Sequence, residues 1–132
     1  MSKDYLDPLR KRGMIIAVDF DGTCVDHRYP LIGDPAPDAV ETLRQLAKNH
    51  RLILWTMRSG KHLDDAVKWF VDREIELYGI QMNPTQHTWS KSRKCYANVY
   101  IDDAGFGAPL IHPRGFNRPC IDWEKVKERF LA

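Results

Sequence analysis

Two aspartates two residues apart, Asp19 and Asp21, follow the apolar run Met14-Ile15-Ile16-Ala17-Val18 and precede Gly22 and Thr23. Carboxylates at the end of a buried strand are costly unless something needs them, and the usual beneficiaries are a hard cation or a proton-moving reaction. Two further apolar runs end the same way: Thr56 follows Leu52-Ile53-Leu54-Trp55, and Asp102-Asp103 follow Val99-Tyr100-Ile101. Lys94 lies eight residues before Asp102. These are the groups that handle phosphate and magnesium.

Hydrolysis of a phosphate monoester is among the slowest uncatalysed reactions, and a carboxylate nucleophile splits it into two easier steps through an aspartyl-phosphate. Asp19, nearest the strand, is the candidate nucleophile. Asp21 is the candidate general acid and base, a role worth about 10²–10⁴-fold. Magnesium wants oxygen ligands, which Asp19, Asp21 (through its main-chain carbonyl), and Asp102 or Asp103 can supply. Thr56 is expected to hydrogen-bond a phosphoryl oxygen, and Lys94, with Lys91 or Arg93 as alternatives, to neutralise charge on the transferring group. The N–H groups around Gly22 and Thr23 suit a small anion nest. Met57 and Arg58, beside Thr56, join the candidate phosphate-binding set, and His27-Arg28 are candidate substrate contacts.

Each feature has a plainer meaning alone. Asp-Gly after a strand is a common turn. A lone threonine or lysine is a turn hydroxyl or a solvated cation, and an acidic pair can be a helix cap. It is their joint order along the chain that points to chemistry. An EF-hand would need glycine where Cys24 stands, so a calcium loop is excluded. The five histidines, His27, His50, His62, His87 and His112, show no paired ligand spacing. Trp55 and Trp69 read as core, and Arg10-Lys11-Arg12 as a solvated run.

The elements that must position these residues alternate. Strands are expected over 14–19, 51–55, 80–82, 98–102 and, as a short fifth at an edge, 108–111. Helices are expected from Pro37 with Val40, Leu43, Leu46 and Ala47 on one face, over 62–78 with Leu63, Ala66, Val67, Phe70 and Val71 inward and Gly79 as C-cap, and from an Asp122 cap to about Leu131. Residues 85–96 fit no element clearly. This alternation predicts right-handed crossovers and a three-layer α/β sandwich around a mainly parallel, Rossmann-like sheet. Ligands of such sheets sit outside the carboxyl ends of the strands, where the polar residues above are expected.

With 132 residues and 43% apolar content, the chain is expected to form a single domain over 1–132 with a real core. Its net charge of +2 supplies no broad footprint for nucleic acid or anionic membrane. Three widely spaced cysteines, Cys24, Cys95 and Cys120, read as free thiols. The apolar runs are too short to cross a bilayer and Met1–Tyr5 lacks the apolar core of a signal peptide, so a cytoplasmic protein is expected.

The chain resembles the haloacid dehalogenase (HAD) superfamily over residues 13 to 112. Asp19-Phe20-Asp21-Gly22-Thr23 is similar to its first motif, Thr56 within Leu54-Trp55-Thr56-Met57-Arg58 to its second, Lys94 to its third and Ile101-Asp102-Asp103 to its fourth. The resemblance implies strand order 5-4-1-2-3, magnesium dependence and phosphatase or phosphotransferase activity, with Asp19 the nucleophile and Asp21 the acid/base. Family dehalogenases lack the second aspartate of the first motif, and the transport ATPases carry lysine where Phe20 stands. Neither interval between motifs has room for a cap domain, so the resemblance implies an open site. It would serve a phosphorylated macromolecule or small molecule, with loop 24–36 or a second copy of the chain as lid. Two other readings are a non-catalytic phosphate-binding or protein-interaction module on the same fold, and a receiver-like phosphoacceptor domain. The receiver pattern needs an acceptor aspartate on a strand between Asp21 and Thr56, where none is expected.

Overall fold

Four short parallel strands, β1 (Ile15–Val18), β2 (Arg51–Leu54), β3 (Gly79–Ile80) and β4 (Val99–Ile101), pair in the order β3-β2-β1-β4. They are seen in a computed structural model that describes residues 13–131, so Met1–Tyr5 and Arg10-Lys11-Arg12 lie outside the described residues. β1 is central and buried along its whole length, which its unbroken apolar sequence required. Register sets the site: Val18 pairs with Leu54 on one side and Ile101 on the other. The residues that follow these three, including Asp19, Thr56, Asp102 and Asp103, therefore emerge at one edge of the sheet.

Among the described residues three helices complete the α/β fold: α1 (Ala39–Asn49), α2 (Gly60–Asp72) and α3 (Trp123–Phe130). The connections from β1 through α1 to β2, and through α2 to β3, step in one direction across the sheet. Right-handed crossovers then put both helices on the same face. Leu43 and Leu46 of α1 and Ala66 and Phe70 of α2 pack there on Ile16, Val18, Leu52 and Leu54, and Trp123 and Val126 of α3 join them. The return from β3 to β4 must cross the opposite face. There Cys95 and Ala97 cover Ile15, Ala17 and Ile53. That crossover is irregular, with one 3₁₀ turn at Gln86–Thr88, so the layer on this face of the expected sandwich is a loop rather than a helix. It is held by Gln86, which donates to the carbonyls of Ser92 and Lys94 and accepts from Tyr96 N.

Several boundaries differ from expectation. Pro37 lies outside α1, whose N-cap Asp38 has φ 65°. α2 ends at Asp72, and Gly79 starts β3 instead of capping the helix. A Cβ at residue 79 would collide with the Met82 carbonyl, so glycine serves close backbone approach there. Val71 is exposed, whereas Trp69 is buried on α2 as expected. The fifth strand, β5 (Leu110–Ile111), does not extend the parallel sheet. It pairs antiparallel with β6 (Cys120–Ile121) in a separate hairpin, because the turn-forming stretch Gly105 to Pro109 diverts the chain after β4. Asp122 caps α3 as expected, accepting from Glu124 N at 3.1 Å. Cys24, Cys95 and Cys120 are buried free thiols. Among the described residues no helix is long and apolar enough to cross a membrane.

Candidate active site

Beyond Val18 the chain turns sharply: Thr23 N and Cys24 N both donate to the Phe20 carbonyl, and Gly22 N donates to the Val25 carbonyl. Gly22 has φ +84°, and a Cβ on it would run into the Asp103 carboxylate. Glycine is therefore needed for the left-handed turn and for the approach of Asp103. The Thr23 hydroxyl ties the two acidic motifs together. It lies 3.1 Å from Asp19 Oδ2 and 3.2 Å from Asp103 Oδ1, and it accepts from Asp103 N at 3.1 Å. Asp102 accepts from Ala104 N at 2.9 Å. Buried Trp123 fixes the turn from below, its Nε1–H donating to the Thr23 carbonyl at 2.8 Å.

Oxygens of Asp19, Asp102 and Asp103 come within 4.8 Å of one another. Burial, the hydrogen bond to Asp103 and the charge of Asp102 push the Asp19 carboxyl up to about 8. Three crowded, half-buried carboxylates resist joint ionisation, and a divalent cation would relieve them. The all-oxygen donor set fits magnesium. Both members of the Asp102–Asp103 pair join the cluster.

Asp21 does not. Its carboxylate faces Arg58, with Nε to Oδ2 and Nη2 to Oδ1 both at 2.8 Å. Its expected metal contact is the main-chain carbonyl, which this ion pair leaves untouched. Arg58, expected among the phosphate-binding residues, is corrected. It is 1% exposed, and beyond Asp21 it donates to the carbonyls of Pro30, Leu31 and His62. A guanidinium has five N–H donors, and all five are engaged, so Arg58 holds Asp21 and the loop 24–36 and has none left for a substrate.

The expected anion nest is also absent: the N–H groups of Gly22 and Thr23 are spent inside their own turn, and the Thr23 hydroxyl on the carboxylates. Thr56 lies at the site. Its main chain is clamped by the Gln81 side chain, which accepts from Thr56 N at 2.8 Å and donates to Thr56 O at 2.6 Å. Thr56 Oγ1 accepts from Arg58 N, leaving its own proton free to donate. Lys94 is not brought to this group. It sits exposed on the irregular crossover with Nζ 5.6 Å from the Tyr100 ring centre, and neither it nor Lys91 lines the cavity. The loop that replaces a helix carries Lys94 to the sheet's other face, beside Tyr100 and Cys95.

The cavity over the carboxylates measures ≈ 500 Å³. Asp19, Asp21, Thr56, Asp102 and Asp103 form its chemical side, and His27, Tyr29, Met57 and Arg118 line it further. His27 is thus in the cavity as expected, whereas Arg28 turns to Asp26 at 3.8 Å. Sequence reasoning missed Gln81, Trp123, Asp26 and Arg118. Asp26 is 2% exposed and accepts from Asn117 N at 3.0 Å on each oxygen. No local pattern signals such contacts, because Gln81, Trp123 and Asn117 lie 25, 100 and 91 residues from Thr56, Thr23 and Asp26.

No protein-family model matches the chain, and neither does any curated protein. A solved structure of a conserved protein from Bacteroides thetaiotaomicron is similar: the two are 43% identical with a TM-score of 0.70, over 88% of this chain and 88% of the other. Identity at that level across most of both chains establishes common family as well as common fold, and the chain belongs to the family of that conserved Bacteroides thetaiotaomicron protein.

Proposed function

We propose that the protein is a magnesium-dependent phosphatase of the HAD type, acting through an aspartyl-phosphate. The observation that carries this reading is the meeting of Asp19, Asp102 and Asp103 within 4.8 Å, beside Thr56 in one open cavity at the carboxyl edge of a parallel sheet. Asp19 Oδ1 or Oδ2 attacks phosphorus, and the bond to the leaving oxygen breaks. Asp21, oriented by Arg58, gives that oxygen its proton and then takes one from the water that hydrolyses the aspartyl-phosphate. Both Asp21 oxygens keep a further lone pair for this work despite the Arg58 contacts. The Thr56 hydroxyl donates to a phosphoryl oxygen. Magnesium would be held by Asp19, Asp102 and Asp103, and when bound it supplies positive charge against the repulsion between carboxylates and phosphoryl group.

Release of phosphate from an aryl phosphate tests the reading. Activity that requires Mg²⁺ and is lost in Asp19→Asn and Asp21→Asn supports it. A folded, Mg²⁺-binding wild type that turns over no phosphoester across a broad panel sinks it and leaves a binding module.

A further inference from the structure

A phosphoryl group entering this cavity meets an acidic floor and few donors. Arg58 is fully engaged, Gly22 and Thr23 N–H are spent in their turn, and Lys94 lies on the other face of the sheet. What remains is the Asp21 N–H, the Thr56 and Tyr29 hydroxyls, the Met57 N–H, His27 and one side chain with several donors, Arg118. Among the described residues the Arg118 guanidinium has no hydrogen bond or ion pair, though its cavity contains four carboxylates.

We propose that Arg118 binds the phosphoryl oxygens of the substrate, an inference that rests on the phosphatase reading. Its setting is built rather than incidental. Arg118 lies in the loop joining β5 to β6, after the described motifs. On one side, Asn117 N is shared between both oxygens of buried Asp26, and Asn117 Nδ2 donates to the His27 carbonyl at 3.3 Å. On the other, Cys120 is wholly buried and paired in β6 with Ile111. A carboxylate that is 2% exposed is costly to keep unless its hydrogen bonds do something. Here they hold the hairpin against the loop 24–36 and keep Arg118 at the cavity. Its planar fork suits two phosphoryl oxygens at once.

The test is titration of inorganic phosphate into the Mg²⁺-loaded protein by calorimetry, with a KM measurement on an aryl phosphate beside it. Arg118→Ala is expected to weaken phosphate binding at least about tenfold and to raise KM in parallel, with Arg118→Lys between it and wild type. Wild-type phosphate affinity in Arg118→Ala, or no phosphate binding by the wild type, overturns the proposal. The two readings separate. Phosphate binding that depends on Arg118, with no turnover of any phosphoester, sinks the hydrolase alone. Turnover with unchanged phosphate affinity in Arg118→Ala sinks the Arg118 assignment alone.

Discussion

Arg58 and Asp21 stand 37 residues apart and meet in a two-point ion pair at 2.8 Å, the arginine 1% exposed and the aspartate side chain 12%. The pair ties the turn after β1 to the turn after β2, and through Pro30 and Leu31 it also fastens the loop that borders the cavity.

Truncating a buried partner leaves an uncompensated charge, so Arg58→Ala is expected to cost about 3–5 kcal/mol in urea unfolding. Arg58→Lys keeps the charge but loses the fork, and it is expected to fall between Arg58→Ala and wild type in stability while lowering kcat through a misplaced Asp21. Stability equal to wild type in Arg58→Ala would contradict this account of the pair.

On the proposed phosphatase mechanism, Asp21→Asn is expected to lower kcat by about 10²–10⁴-fold, the usual worth of a general acid and base. On the same proposal, Asp19→Asn removes the nucleophile and should bring turnover to background. A trapped phosphoryl group on the protein after acid quench, present in wild type and missing in Asp19→Asn, checks the covalent step.

The Asp19 carboxyl is raised from 3.8 to about 8. Over that window the unfolded chain has ionised this group while the folded chain still holds the proton. The metal-free protein therefore loses stability as pH rises from about 4 to about 8. Asp19→Asn should raise the metal-free Tm, most clearly at the alkaline end of that range. Magnesium competes with the proton, so its stabilising effect on wild type should grow with pH. Thermal melts at several pH values, with Mg²⁺ and with chelator, read both trends, and a flat Mg²⁺ effect would contradict them.

Gly22→Ala puts a Cβ into the Asp103 carboxylate at a residue with φ +84°. Weakened Mg²⁺ affinity is expected along with lost stability, and calorimetry of Mg²⁺ binding separates the two. Trp123→Phe leaves the buried Thr23 carbonyl without its donor, at a cost of about 1–3 kcal/mol. Its Mg²⁺ affinity should fall far less than that of Gly22→Ala, because the carboxylates themselves are untouched.

From sequence alone, β1, β2 and β4 and the polar residues at their ends were legible, because strand burial writes an apolar run and a turn ends it. The cores of the three helices were legible for the same reason, although α2 proved shorter and Gly79 belonged to β3. Asp19, Asp102 and Asp103 could be named as a group because parallel strands bring their carboxyl ends to one edge. What a side chain faces across that edge was decided only by the tertiary structure. Asp21 meets Arg58, Thr23 meets Asp103 and Asn117 meets Asp26 at separations of 37, 80 and 91 residues. Such partners follow from the strand order, the crossover faces and the detached β5–β6 hairpin, and residue spacing carries no trace of them. Lys94 and Arg118 show the physical reason. Local sequence makes each a cation, but a return crossover carries one to the sheet's other face and a buried carboxylate draws the other to the cavity.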